Sequence, residues 1–453
     1  MTFSPWTPPE SGPLARFATS ILRLSMLYCA IIFAISIREH SRWIYPGTMA
    51  IAYVLPIAGA GAIWLLLRSS TTARVIAVLV IIPLVLALIA TDIYFAIPGR
   101  VIRKWGMHFI ADRQRNVVAG ELRKKGINAY PYVTSAEFRY GYYTRRVGPH
   151  SILPLASVSN KVTVMCTEGD LTVTFNSDEH GFNNPKGVWK RDSVDLALIG
   201  DSFVFGSCVR PEDHFVSMVR TVVPRTLNLG GLGNGPLSEL GLLREFAAPM
   251  RPHRVFWFFF EGNDMEELEL EKPFLLKGYL DSAFSQHLLP RQDLTDKTLT
   301  TYADSAVAVG KGSKPLARHI LDLAKLRDLR IALGLEAASA ERVVTPDYEL
   351  LSRVLGEAKK SVNGWGGSLT LVYLPEQHRT DSDAPQPIGR RHDQEDIRAH
   401  TLAIAKGLGI PVLDVGEHFT RDSDTKALWW RPRTHLSPYG NRRLAEAVLG
   451  LLR

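Results

Sequence analysis

Cysteine is scarce, three residues in a chain of 453, so disulfides cannot be what holds a fold of this size together. No Cys/His spacing suits a zinc site, and no phosphate-binding loop is present. The glycines at Gly230, Gly231, Gly233 and Gly235 do not keep the Gly-x-Gly-x-x-Gly spacing of a dinucleotide fold. No cofactor or metal is therefore expected. Charge is modest at 22% and hydrophobic content is 46%, which excludes a mostly disordered chain. At roughly 150 residues per domain the length leaves room for about three folding units.

Acidic residues are nearly missing from the N-terminal quarter. Residues 1–104 hold nine Lys and Arg against three Asp and Glu, whereas the other 349 residues hold 44 against 42. Most of the formal net charge of +8 thus lies in that quarter, and it does not imply a nucleic-acid partner. The same quarter carries three apolar runs, at 21–37, 48–67 and 75–97. A span needs about 20 apolar residues to cross a hydrocarbon core of about 30 Å. The second and third runs meet this with no Lys or Arg inside. The first is shorter and starts near Arg23, so it either spans with Arg23 snorkelling or lies in the interface. The basic residues sit at the ends of the runs, as helix anchors do. They fail to orient the chain, because Arg16, Arg23, Arg68 and Arg74 on one side oppose Arg38, Arg42, Arg100, Arg103 and Lys104 on the other. Asp92, near the end of the third run, reads as an interfacial acid.

From residue 105 onward the pattern changes. A helical stretch at 112–125 leads to strand-like stretches at 158–165 and 171–175. Strands at 194–199, 226–229 and 255–260 then alternate with helices at 215–223 and 237–247. Further strands follow at 368–374 and 411–415, with a closing helix at 442–452. Short buried strands alternating with helices predict a parallel sheet covered on both faces. The division expected is a membrane anchor of two to three transmembrane helices at 1–104, a β-rich lead-in at 105–190, and an α/β catalytic domain at 191–453. A charged insertion at about 265–345 reads as a lid or substrate-facing subdomain.

Chemistry concentrates at the strand ends. A strand runs into Gly200-Asp201-Ser202, which places a hydroxyl at the carboxyl edge of the sheet beside backbone N–H groups. Taken alone this is also an ordinary strand-to-helix turn with Asp or Ser as cap. The next strand ends in Asn228-Leu-Gly-Gly-Leu-Gly233-Asn-Gly235, whose glycines let an N–H approach a reacting carbonyl. The third ends in Glu261-Gly-Asn263-Asp264, where an amide can donate. His435, ahead of the last helix, offers the imidazole a serine needs as base.

These four motifs, in this order over about residues 191–453, resemble the SGNH hydrolase superfamily, the GDSL-type esterases and acyltransferases. The run Asn176-Ser-Asp-Glu-His-Gly-Phe-Asn-Asn-Pro185 resembles the lead-in of its bacterial members. The resemblance implies a three-layer α/β/α parallel sheet with Ser202 as nucleophile and His435 as base. It implies an oxyanion hole made by the N–H groups of Ser202 and Gly233 and the side chain of Asn263. It also implies a serine esterase or O-acyltransferase acting on a small acyl ester, acetyl on a surface or secreted polysaccharide. The setting would be a multi-pass protein of a bacterial inner membrane with a periplasmic catalytic domain. Its partners would be an acylated carbohydrate or other ester, the lipid bilayer and membrane proteins of polysaccharide synthesis. One departure stands out: the family places an Asp two or three residues before the histidine, and here Arg433 and Pro432 occupy those positions. Asp414, Asp422, Asp424 or a carbonyl could substitute in space. The missing acid motivates an alternative, a non-catalytic glycan-binding or scaffold module of a polysaccharide assembly. Cys166 and Cys208 would pair if the domain lies outside the cytoplasm, or Cys208 is a small core residue. His378 and the run Arg390-Arg391-His392 read as solvated loop residues.

Overall fold

The computed structural model describes residues 12–38, 46–96, 115–135, 152–168, 171–190, 194–308, 320, 322–326, 329–330, 345–381, 391–430 and 435–452. Contacts divide the chain into two compact units, Met1–Ile110 with Ser313–Val343, and Ala111–Gly312 with Val344–Arg453.

The first unit contains α1 (Pro13–Arg38), α2 (Pro46–Leu67) and α3 (Thr71–Ala96). The stretches Pro13–Ile37 and Thr71–Tyr94 are long and apolar enough to cross a membrane, with mean hydropathy 2.0 and 2.8. Only 11% and 6% of these stretches are buried by protein, so they are not core helices of a water-soluble fold. The apolar part of α2 among the described residues, Ala52–Leu67, is shorter. Ala18, Leu22, Ile63 and Val78 form the contact between the helices. Arg74 donates to Thr19 Oγ1 at 3.0 Å, and the Arg68 guanidinium lies 3.7 Å above the Trp64 ring.

Asp92, read from the sequence as an interfacial acid, is held by protein. It is 1% exposed and accepts the Leu329 N–H at 2.8 Å, while the Tyr28 hydroxyl donates to the Ala324 carbonyl. Both partners come from the Ser313–Val343 segment. The insertion is therefore divided: its first part packs in the second unit, and its second part belongs with the apolar helices. A backbone N–H among apolar side chains needs an acceptor, and Asp92 supplies one.

In the second unit, α4 (Arg115–Lys124) precedes a three-stranded sheet of β1 (Ala129–Pro131), β2 (Val162–Glu168) and β3 (Leu171–Asn176). This is the β-rich lead-in. The main sheet has five parallel strands, β4 (Leu196–Gly200), β5 (Thr226–Gly230), β6 (Arg254–Phe260), β7 (Ser368–Leu374) and β8 (Val412–Asp414), in the order β5-β4-β6-β7-β8. Side chains alternate between two cores. Ala197 and Ile199 of β4 with Val255, Trp257 and Phe259 of β6 enter one. Leu196 and Leu198 with Phe256 and Phe258 enter the other. Two buried faces per strand is the signature of a sheet between helical layers, and the three-layer α/β/α arrangement expected from the alternation is present.

A smaller core joins the lead-in to the segment after β4. Tyr132, Met165, Val173 and Phe175 pack against Phe205, and Cys166 on β2 is disulfide-bonded to Cys208, with the Cα atoms 5.4 Å apart. On the other side, β5 ends against the short helix Ser202–Phe205. A Cβ placed on Gly230 would lie 2.2 Å from the Phe205 nitrogen. Gly230→Ala should therefore destabilise the second unit by roughly 2–3 kcal/mol, lowering its thermal midpoint by several degrees. Gly364→Ala, whose Cβ would meet nothing within 4 Å, should leave the midpoint unchanged, and circular dichroism melts of the two variants make the comparison.

Candidate active site

The chain leaves β4 for β5 on one side of the sheet and then crosses to β6 on the other. The carboxyl end of β4 is thus the switch point at which open α/β sheets place their ligands, and Ser202 is the second residue beyond that strand. Asp201 caps the short helix, its Oδ1 accepting the Phe203 N–H at 2.9 Å. Gly206, with φ 84°, ends the helix.

His435 Nε2 lies 2.8 Å from Ser202 Oγ. The imidazole rests on Phe203, ring centroids 5.1 Å apart, and Phe203 in turn rests on Phe260. With the serine O–H donating to Nε2, the ring proton sits on Nδ1. That nitrogen is buried and, among the described residues, has no hydrogen-bond partner. Burial holds the imidazole down at about 4, because desolvation disfavours the imidazolium. His435 is consequently neutral at ordinary pH, as a base must be, and no described residue accepts from its Nδ1.

None of the three acids named from the sequence supplies that support. Asp414 Oδ1 accepts the Gly416 N–H at 2.9 Å, and its Oδ2 pairs with Arg398. Asp422 accepts from Tyr439 Oη at 2.8 Å and from Arg443 Nε at 2.6 Å. Asp424 accepts the Ala427 N–H at 3.0 Å. Each carboxylate is committed to its own turn or to an arginine. Arg433 and Pro432 lie outside the described residues, as does Arg390; the side chains of Arg391 and His392 are likewise outside them.

The glycine loop after β5 is fixed at both ends. The Gly231 N–H donates to the Gly200 carbonyl at 3.2 Å, and the Asn234 amide reaches the same carbonyl at 3.4 Å. Ser135 Oγ donates to Asn234 Oδ1 at 3.2 Å. Gly233 lies between these anchors at φ 68°, in the left-handed region that glycine enters freely. At the exit, Glu271 accepts the N–H groups of Gly235 and Leu237, each at 2.8 Å. A carboxylate taking the free donors at a helix start is well placed electrostatically. Neither Asn234 nor Glu271 was assigned a role from the sequence. Glu271 is 36 residues from Gly235 along the chain, and no local signal points to it.

Asp201, read from the sequence only as a possible helix cap, does more than cap. Besides its cap bond, its carboxyl receives the Asn263 side-chain amide and the Ser202 N–H, and it lies 3.3 Å from Ser202 Oγ. Two of the three donors expected to form an oxyanion hole therefore converge on one carboxyl. Burial raises Asp201 to about 6. Behind it stand Glu239 and Asp264, both without exposure and both held well above the usual carboxylate range, by burial first and by neighbouring carboxyls second. Asp264 Oδ2 accepts the Phe260 N–H at 2.8 Å. Protonation of these inner carboxyls lowers the cost of burying them.

No protein-family model matches the chain, and no curated protein matches it. Solved structures do. A lipolytic protein of the G-D-S-L family from Desulfitobacterium hafniense DCB-2 matches at 13% identity over 56% of this chain and 97% of its own, TM-score 0.33. The lipase/acylhydrolase from Enterococcus faecalis matches at 14% identity over 57% and 95%, TM-score 0.32. Axe2, an acetylxylan esterase from Geobacillus stearothermophilus, matches at 15% identity over 57% and 94%, TM-score 0.32.

Asp201 and His435 affect stability with opposite signs. Asp201 binds its proton more tightly folded than unfolded, so its contribution is present below the unfolded value near 3.8 and is lost as pH rises through about 6. His435 resists protonation when folded, so its contribution is present above about 6.5 and is lost as pH falls toward about 4. Asp201→Asn should gain thermal stability over the parent protein as pH rises from 4 to 7, read from the difference between the two melting curves at each pH.

Proposed function

We propose that this protein is a serine ester hydrolase or acyl-transfer enzyme of SGNH type, working through an acyl-Ser202 intermediate. The observation that carries this reading is the 2.8 Å contact between Ser202 Oγ and His435 Nε2 at the carboxyl end of β4. Ser202 Oγ attacks the ester carbonyl while His435 Nε2 takes its proton. The Gly233 N–H and the second Asn263 N–H meet the oxyanion, joined by the Ser202 N–H as it turns from the Asp201 carboxyl. His435 then returns the proton to the departing alcohol. In the second half, water or an acceptor hydroxyl loses a proton to His435 and attacks the acyl group. Which of the two arrives is the whole difference between hydrolysis and transfer. The catalytic unit is a Ser–His dyad, with Asp201 holding Asn263 in position.

The setting proposed is a membrane-anchored enzyme facing an oxidising compartment, the periplasm of a bacterium, with acetylated polysaccharide as substrate. The two uncovered apolar helices support the anchor. The Cys166–Cys208 bond supports the compartment, because disulfides persist where thiols are not kept reduced.

The orphaned Nδ1 of His435 favours a second reading, a glycan-binding scaffold without turnover. Supporting carboxylates are worth about 10⁴-fold in the serine-protease template, so the dyad is expected to be slow. Labelling of the purified protein with a fluorophosphonate separates the readings. Ser202 should label, and Ser202→Ala should abolish both labelling and aryl acetate hydrolysis. Labelling of Ser202 at background rate would favour the scaffold. For the active enzyme, kcat/KM should fall on the acid side with an apparent pKa well below the usual histidine value of about 6.5.

A further inference from the structure

His435 has a neighbour on its open side that nothing in the core requires. Trp429 and Leu436 form an isolated antiparallel bridge, and both are buried in the core on one face of the sheet. Residues opposite one another across such a bridge share a face, and successive residues alternate. Trp430 and His435 therefore stand together on the other face, and the Trp430 N–H donates to the His435 carbonyl at 3.1 Å. Trp430 is 43% exposed. Among the described residues of this unit it is the one aromatic side chain in so exposed a position. So exposed an indole has more apolar surface than its own packing explains.

The next strand end carries a polar counterpart. Beyond β7, His378 Nδ1 lies 3.1 Å from Glu376 Oε2, with the two side chains only 12% and 15% exposed. The contact holds the imidazole beside the carboxylate. This segment is tied to both halves of the site. The Glu376 N–H donates to Glu261 at 3.1 Å, next to the Asn263 turn. Trp429 Nε1 donates to Thr380 Oγ1 at 3.1 Å, next to the His435 bridge. Strands in a sheet are about 4.8 Å apart; β7 is two strands from β4, which puts Glu376 roughly 10 Å from Ser202, about the reach of a sugar ring bound beyond the ester.

We propose that Trp430 and the Glu376–His378 pair form a subsite for a sugar ring that carries the ester or accepts the acyl group. The indole face suits the C–H face of a pyranose, while the paired carboxylate and imidazole suit its hydroxyls. A long acyl chain would find a polar pair where it needs an apolar wall. This inference rests on the acyl-transfer reading above. The test uses the full chain in detergent, with an acetylated xylo-oligosaccharide and ethyl acetate as substrates. In Trp430→Ala and in His378→Ala the ratio of kcat/KM for the oligosaccharide to that for ethyl acetate should fall by about tenfold or more. Trp430→Phe should retain most of the ratio. Equal losses on both substrates in both variants would reduce Trp430 and His378 to structural roles and overturn the subsite. If the parent protein hydrolyses ethyl acetate but not the oligosaccharide, the sugar subsite fails and acyl transfer stands. If it hydrolyses neither, the acyl-transfer reading itself fails.

Discussion

One contact governs this molecule, the hydrogen bond between Ser202 and His435, residues 233 apart in the chain. Everything between them must fold so that the end of the first main-sheet strand meets the turn before the last helix. The parallel sheet does this because its strands all end on the same edge, which gathers the turns after β4, β5, β6 and β7 side by side. The closing helix Pro438–Gly450 is capped by Ser437, and the Trp429–Leu436 bridge pins the segment just before it. His435 is thus held from the rear by packing, whereas among the described residues its Nδ1 has no polar support.

The electrostatics around the nucleophile are equally unusual. Asp201, Glu239 and Asp264 share a dry region beneath the oxyanion donors, and such a group is tolerable only with some of its members protonated. A neutral carboxyl there leaves a developing oxyanion unopposed, whereas an ionised Asp201 would repel it. The same carboxyl orients the Asn263 amide. Asp201 therefore joins the shape of the site to its charge, and the two demands meet near its raised value of about 6.

Much of this was legible in the sequence. The strands at 226–229, 255–260 and 368–374 read as short, mostly apolar stretches bounded by turn residues, and β5, β6 and β7 follow them within a residue or two. Ser202, Gly233, Asn263 and His435 announced themselves through local motifs at strand ends. What stayed hidden depends on long-range packing. Glu271 closes the glycine loop from 36 residues away, and Glu239 lies on a helical face that reads as ordinary amphipathic surface. Asp414, Asp422 and Asp424 were plausible partners of His435 by position alone, but Arg398, Tyr439 and Arg443 claim two of them and a local turn holds the third. The pairing of Cys166 with Cys208 depended on how β2 sits against the nucleophile turn, which no spacing rule encodes.

The division of the insertion changes what the anchor is. Leu329 gives its N–H to Asp92 and Tyr28 binds the Ala324 carbonyl, although those partners are encoded more than 200 residues later. The backbone passes from the anchor to the catalytic unit, back to the anchor, and again to the catalytic unit. Removal of residues 1–110 would therefore take from the 313–343 segment the partners that Leu329 and Ala324 have there. The two units are interleaved in the gene and are inherited as one piece.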